Sequence, residues 1–212
     1  MMEELQFIYK RYSVRKFQEK PVKAEDLEAI LTAAVHAPSG KNLQNWHFVV
    51  VSRREMIEQM AGAVQEKNKQ LAEFIAEDER KAFTAMIPYH TVFKGAPVVI
   101  LVYAGPYPSV ADSLLKSGRL PQQEALEYAK PGPGIQNIAA AMENLVLAAA
   151  ALGYGTCWMT GPTYAAEEIS KLVGFSKEGY HLAAMTPLGV PAASPLQRTK
   201  RKPLAEVVTF VE

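Results

Sequence analysis

Between Lys10 and Phe17 the chain reads KRYSVRKF, four cations in eight residues with a serine between Arg11 and Arg15. In an extended segment Arg11, Ser13 and Arg15 face one side. In a helix Arg11 and Arg15 are also neighbours. Either way two guanidinium groups come together, and their repulsion grows with burial. A bound phosphate would reverse its sign: arginine offers planar, paired donors and Ser13 adds a hydroxyl. Surface cations on a solvated helix end are the plain alternative. A second basic cluster, Arg198 to Lys202, precedes Pro203 and the apolar LAEVVTFV, which reads as a strand anchored at a sheet edge. Convergence of that cluster on the same anion is an expectation.

A third stretch, APSGKNLQNWHFVV, begins at Ala37. Ser39 and Gly40 allow close approach to the backbone, and Asn42 and Gln44 both donate and accept, which suits a heterocycle edge. A helix-to-strand loop is the alternative, with Trp46 packed in the core. Otherwise the chain lacks a catalytic set. His36, His47, His90 and His181 are scattered without metal-ligand spacing. Cys157 reads as a packed thiol. There is no Walker-type loop, and the Gly132–Gly134 GPG lacks the preceding strand of a dinucleotide fingerprint. Anion holders without a nucleophile or acid–base pair suggest that a cofactor does the chemistry.

The elements that must position these groups follow from pattern. The 212 residues fit a single domain, 49% of them apolar, with a formal net charge of +1. That balance argues against nucleic acid. One cysteine excludes an internal disulfide framework and fits a reducing cytoplasm, and the N-terminus has no apolar signal core. The apolar run Ile138–Gly153 is interrupted by Glu143 and Asn144 and is short for a membrane span, so it reads as a buried helix. Helices are predicted over 3–11, 23–35, 53–85, 135–152 (stopped by Gly153) and 164–173. Strands are predicted over 47–52, 96–104 (central), YGTCWMT, YHLAAMTPLGVP and the C-terminal tail. Residues 105–134 hold most of the turn residues. The expected class is an α+β three-layer sandwich, not a doubly wound Rossmann sheet.

Taken in order along nearly the whole chain, these segments resemble the nitroreductase family of FMN-dependent oxidoreductases. RYSVRKF is similar to its Arg-Arg-Ser-x-Arg-x-Phe, and APSGKNLQNWHFVVV to its Ala-Pro-Ser-x-x-Asn-x-Gln-Pro-Trp segment. IQNIAAAMENLVLAAAALGYGTCWMTG resembles its central helix, glycine turn and strand, and RKPLAEVVTFVE its end. The resemblance implies an α/β/α sandwich with a mostly antiparallel sheet, in a homodimer that exchanges C-terminal strands. Arg11, Ser13 and Arg15 would hold the FMN phosphate and ribityl chain, with the backbone of Tyr12, and Arg201 with Lys200 would reach the phosphate from the tail. Pro38, Ser39, Gly40 and Asn42 would contact the flavin from the neighbouring subunit. Met159, Thr160 and Gly161 would approach the ring near its reactive nitrogen. NAD(P)H would reduce FMN, and a nitroaromatic, a quinone or a similar acceptor would take the electrons, in ping-pong order, with no side chain required as catalyst and no metal. Residues 105–133 would cap the substrate. Related branches dehalogenate substrates or fragment the flavin, and a non-catalytic flavin- or nucleotide-binding dimer is the rival from another class. In two places the sequence departs from the family pattern. Tyr12 replaces a basic residue, and Asn45 replaces a proline, which predicts a looser loop. Neither Asn68 nor Lys94 matches the family's mid-chain flavin ligands convincingly.

Overall fold

The computed structural model describes residues 3–193 and 199–211. Its centre is a four-stranded antiparallel sheet in the order β1-β2-β4-β3, formed by β1 (Trp46–Val51), β2 (Val98–Ala104), β3 (Gly155–Thr156) and β4 (His181–Gly189). Every residue of β2 is buried, as its unbroken apolar run predicts for a central strand. Alternation sends Val98, Ile100, Val102 and Ala104 to one face and Val99, Leu101 and Tyr103 to the other. The first face packs on α2 (Ala24–Val35) and α7 (Pro133–Ala151), the second on α3 (Arg54–Phe74) and α8 (Ala166–Leu172). The result is the expected three-layer α+β arrangement. β4 carries an extra residue at Ala183: Val102 pairs with Ala184, but Tyr103 pairs with Leu182. This bulge turns Leu182 onto the α3/α8 face beside Tyr103.

α7 sets the long axis of the site. Pro133 opens it at the tolerated first position, and Gly153, at φ 84°, follows its end in the left-handed conformation that glycine adopts freely. Its polar Asn144 donates to the Ala33 carbonyl on α2 at 3.0 Å, so the amide is satisfied where the helices meet. Among the described residues no helix is long and apolar enough to cross a membrane.

Several predicted elements differ. The N-terminal helix is a 3₁₀ turn, Glu3–Leu5, followed by the short α1 (Gln6–Lys10). The long helix over 53–85 is two, α3 and α4 (Glu77–His90), because Ile75 is extended and the acidic Glu77, Asp78 and Glu79 open a new first turn, where helix dipole and carboxylates agree. The turn-rich excursion holds α5 (Val110–Ser117), capped by Ser109 and Asp112, and α6 (Gln122–Glu127). The strand expected over YGTCWMT pairs only at Gly155–Thr156, with one further bridge from Met159 to Met185. The Cys157 N–H is taken by the Thr186 hydroxyl at 3.1 Å in place of a backbone carbonyl, which interrupts the ladder. The predicted last strand is not formed. Leu204–Glu206 make a 3₁₀ turn and residues 201–211 are all exposed. A strand requires a lateral partner, and the single chain brings none to this segment.

Candidate functional site

Of the two conformations open to RYSVR, the chain adopts the extended one. Ser13 bridges Thr156 in parallel, and the Val14 N–H donates to the Thr156 carbonyl at 2.8 Å. Gly155 makes this possible: a Cβ there would lie 2.7 Å from the Val14 side chain. Val14 is buried, and strand alternation turns Arg11, Ser13 and Arg15 the other way. All three lie close enough to Cys157 to act on its thiol. Burial pushes that thiol up, against the opposing pull of the Arg15 charge, a hydrogen bond with Ser13 and the Arg11 charge. Among the described residues neither arginine has a carboxylate partner. Arg11 is half-buried and Arg15 exposed, so two like charges face one side with their donors open, an arrangement that a phosphate dianion stabilises.

Lys200 and Arg201 are exposed, and the Arg201 guanidinium donates to the Thr199 carbonyl and hydroxyl, at 3.3 and 2.9 Å. Arg198 lies outside the described residues. Among the described residues no hydrogen bond or ion pair links the two basic clusters.

Met159–Gly161 leave the sheet next to this cluster. Buried Met159 exchanges both backbone hydrogen bonds with Met185, at 2.9 and 3.0 Å. The Thr160 carbonyl then accepts from the Thr163 N–H and hydroxyl, which starts a 3₁₀ turn at Gly161. These residues follow the Thr156 bridge to Ser13 by three to five residues along the chain.

The Pro38–Asn42 loop is built differently. Lys41, Asn42 and Gln44 all have positive φ, at 58°, 51° and 45°, a conformation that side chains other than glycine adopt at a cost. The loop is held there by its own donors. Ser39 Oγ accepts from the Gln44 N–H, and Gln44 Nε2 donates to Asn42 Oδ1, both at 3.1 Å. The Gly40 N–H donates to Asn137 Oδ1 at 2.9 Å, and Asn137 Nδ2 donates to Asn45 Oδ1 at 2.8 Å. Asn45 Nδ2 in turn reaches the carbonyls of Gly105 and Gly134, at 3.0 and 3.3 Å. Asn45 is buried, so the residue that departs from the family's proline is a hub and the loop is not loose. Lys41 donates to the Pro108 carbonyl at 3.0 Å, and the Tyr107 hydroxyl occupies the space a Cβ would take at Gly40. The start of the 105–133 excursion is thereby clamped to this loop.

These two regions lie at opposite ends of α7. Gly40 is tied to Asn137 near its start, and the arginine segment lies on Gly155 and Thr156 beyond its finish. At 1.5 Å per residue, the helix between Asn137 and Ala151 spans roughly 20 Å. Within one chain the two sets do not share a surface.

The profile of the nitroreductase family matches residues 8–190. The chain belongs to the nitroreductase family. Its sequence is 33% identical over 159 residues to a candidate NADH dehydrogenase/NAD(P)H nitroreductase of Archaeoglobus fulgidus, covering 75% of this chain and 68% of that protein. It is also similar to an iodotyrosine deiodinase of Thermotoga neapolitana, 26% identical over 187 residues, with 86% and 85% covered. Among solved structures, a BluB-like flavoprotein of Clostridium difficile superposes with a TM-score of 0.90 at 38% identity over the whole of both chains. A nitroreductase with bound FMN from Desulfitobacterium hafniense gives 0.73 at 26%, again over both whole chains.

Within this nitroreductase fold, three contributions were invisible to motif reading. Cys157 is a packed thiol as expected, but it also feels the charges of Arg11 and Arg15. Asn45 gathers partners from two segments, Gly105 after β2 and Gly134 and Asn137 on α7. Asn68, unmatched as a flavin ligand, is fully buried and bonded to Val64 and His90. Lys94 is exposed on a 3₁₀ turn, Val92–Gly95. A mid-helix asparagine on the apolar stripe of α3, with Met60 and Val64, is the one sequence signal that could have flagged a buried polar pair.

Proposed function

We propose that this chain is an FMN-dependent oxidoreductase that uses NAD(P)H to reduce nitroaromatic, quinone or similar acceptors. The observation that carries the reading is the arginine pair, with open donors on an extended segment bridged through Ser13 to Thr156, shortly before the turn at Met159–Gly161. The donor set fits FMN: two guanidinium groups and a hydroxyl suit its phosphate, and a glycine-containing turn that leaves the sheet offers backbone to a flat ring. The likeness to an FMN-bound nitroreductase at 26% identity supports the same cofactor.

In this reading Arg11, Ser13 and Arg15, with the Tyr12 backbone, bind the phosphate and ribityl chain. Met159, Thr160 and Gly161 orient the reactive edge of the ring. Bound there, FMN would supply the hydride chemistry that links NAD(P)H to the second substrate in ping-pong order. The protein needs no catalytic side chain for this; it supplies position and a positively charged surround.

Pro38, Ser39, Gly40 and Asn42 complete the site from a second copy of the chain, because α7 separates them from the arginines of their own subunit. The tail fits the same assembly. Phe210 and Val211 are 81% and 93% exposed, an unusual cost for apolar side chains with no cover. A homodimer that exchanges these arms would bury them, pair them as strands and bring Lys200 and Arg201 to the partner's phosphate site. Residues 1–212 would act as one FMN-binding domain in the reducing cytoplasm, with 105–133 as its lid over the substrate.

The test is to purify the protein, record flavin absorption and subunit mass, and add NADH without oxygen. The reading requires a yellow dimer that bleaches and recovers with a nitroaromatic. Flavin without bleaching removes the reductase; a colourless protein that takes up no FMN leaves a non-catalytic module. A second reading keeps the flavin and changes the reaction, and the likeness to an iodotyrosine deiodinase and to a BluB-like flavoprotein favours it. Turnover of a halogenated tyrosine, with none of a nitroaromatic, would select it.

A further inference from the structure

Gly161 owes its identity to a neighbour. Its φ is not positive, so its backbone conformation is open to any residue. Yet a Cβ at this position would lie 2.3 Å from His90 Cδ2 and 2.6 Å from His90 Nε2. The flat edge of the imidazole occupies that space. His90 is the last residue of α4, and its ring is held from two further directions. Nδ1 lies 2.8 Å from Asn68 Oδ1, and the Tyr164 ring stands edge-on to it at 5.6 Å between centroids.

Asn68 fixes the chemistry of this contact. Its Nδ2 donates to the Val64 carbonyl at 2.7 Å, so its orientation is set and Oδ1 is the atom facing His90. An amide oxygen only accepts, so His90 carries its proton on Nδ1. Burial lowers the proton affinity of the ring, which leaves Nε2 bare beside Gly161. Asn68 is fully buried, and its neighbour Lys67 pairs with Glu168 at 2.6 Å, tying α3 to α8, the helix that follows the Gly161 turn. The chain of contacts from α3 to residue 161 is continuous.

We propose that His90, anchored by Asn68, is a positioning residue that sets the Gly161 backbone against the reactive edge of the flavin. This rests on the FMN reading above. His90 touches neither substrate nor cofactor; it fixes the height of the peptide that does. A rigid support under the turn matters because hydride transfer is steep in distance and angle, and small misplacements cost large factors in rate.

Two variants separate the parts. His90→Asn keeps an N–H for Asn68 but removes the ring edge under Gly161. Asn68→Leu keeps the ring but removes its anchor. The inference expects either change to slow flavin reduction by NADH, in single-turnover stopped flow, roughly tenfold or more, with the KM for NADH changed less than threefold. Gly161→Ala should impair wild type through the clash and do less additional harm in the His90→Asn background, where there is room for the methyl. Independently of activity, ¹⁵N-histidine spectra should show a slowly exchanging Nδ1 proton on His90 and a shift of that ring when FMN is added to apoprotein. Reduction rates within twofold of wild type in both variants, additive Gly161→Ala effects, or a His90 ring unmoved by FMN would each overturn it. The controls are distinct: wild type that binds no FMN removes the flavin reading, whereas wild type that binds and reduces FMN while the variants match it removes only the role of His90.

Discussion

The two ends of α7 use polar groups in opposite ways. Beyond its C-terminal end, Arg11, Ser13 and Arg15 gather charge against Cys157 and leave the guanidinium donors open. Near its N-terminal end, Asn45, Asn137, Ser39, Gln44 and Gly40 are as densely polar but satisfy one another. A group already bonded inside the fold has little left to offer a ligand, and one left without a protein partner at the surface has its donors free for one. The first end is therefore read as a binding surface, and the second as a scaffold that shapes a loop for another subunit's ligand.

The largest effect should come from the open end. Arg11→Ala or Arg15→Ala should each weaken FMN binding about ten- to a hundredfold, the worth of lost charge-assisted bonds, measured by flavin fluorescence on titration of apoprotein. Fold stability should stay level or rise as the repulsion is relieved. Unchanged FMN affinity would break the contrast. Asn45→Ala should do the converse. Removing a buried amide that serves Gly105, Gly134 and Asn137 should cost about 2–4 kcal/mol in urea unfolding, while the affinity of the arginine end for inorganic phosphate stays the same.

A smaller effect concerns His90, whose proton affinity burial lowers beside Gly161. The folded chain binds a proton at His90 less readily than the unfolded chain, whose value is near 6.5. The unfolded state then holds more protons as the pH falls. The stability this group contributes is complete above that value and is lost as pH drops through the lowered folded one. His90→Asn should flatten that part of the acid limb in a melting-temperature series. Smallest of all, Cys157 should alkylate slowly at neutral pH because burial raises its thiol, and inorganic phosphate should slow it a few-fold further by shielding the arginines that oppose the shift.

What could be read from the sequence was local. The alternation of Arg11, Ser13 and Arg15 needs only five residues. The apolar run of β2 states its own burial, and Gly153 marks the end of α7 from its position alone. What escaped reading depends on distant partners. The YGTCWMT ladder fails because the Thr186 hydroxyl, 29 residues on, takes the Cys157 N–H. Asn45 looks like a missing proline until its partners 60, 89 and 92 residues away are in place. His90 and Asn68, 22 residues apart, sit on two helices that the pattern merged into one. The tail reads as a strand because its residues are strand formers, but propensity cannot supply the neighbour a strand lies against.

The bulge at Ala183 also bears on how this family could vary in length. Elsewhere in β4, dropping one residue would swap the two faces and drive core side chains into the wrong layer. At Ala183 the surplus residue could be lost while Leu182 and Ala184 keep their present facings, since the two already point to opposite sides. Homologues one residue shorter at that point, and at no other in the strand, would be the natural record of it.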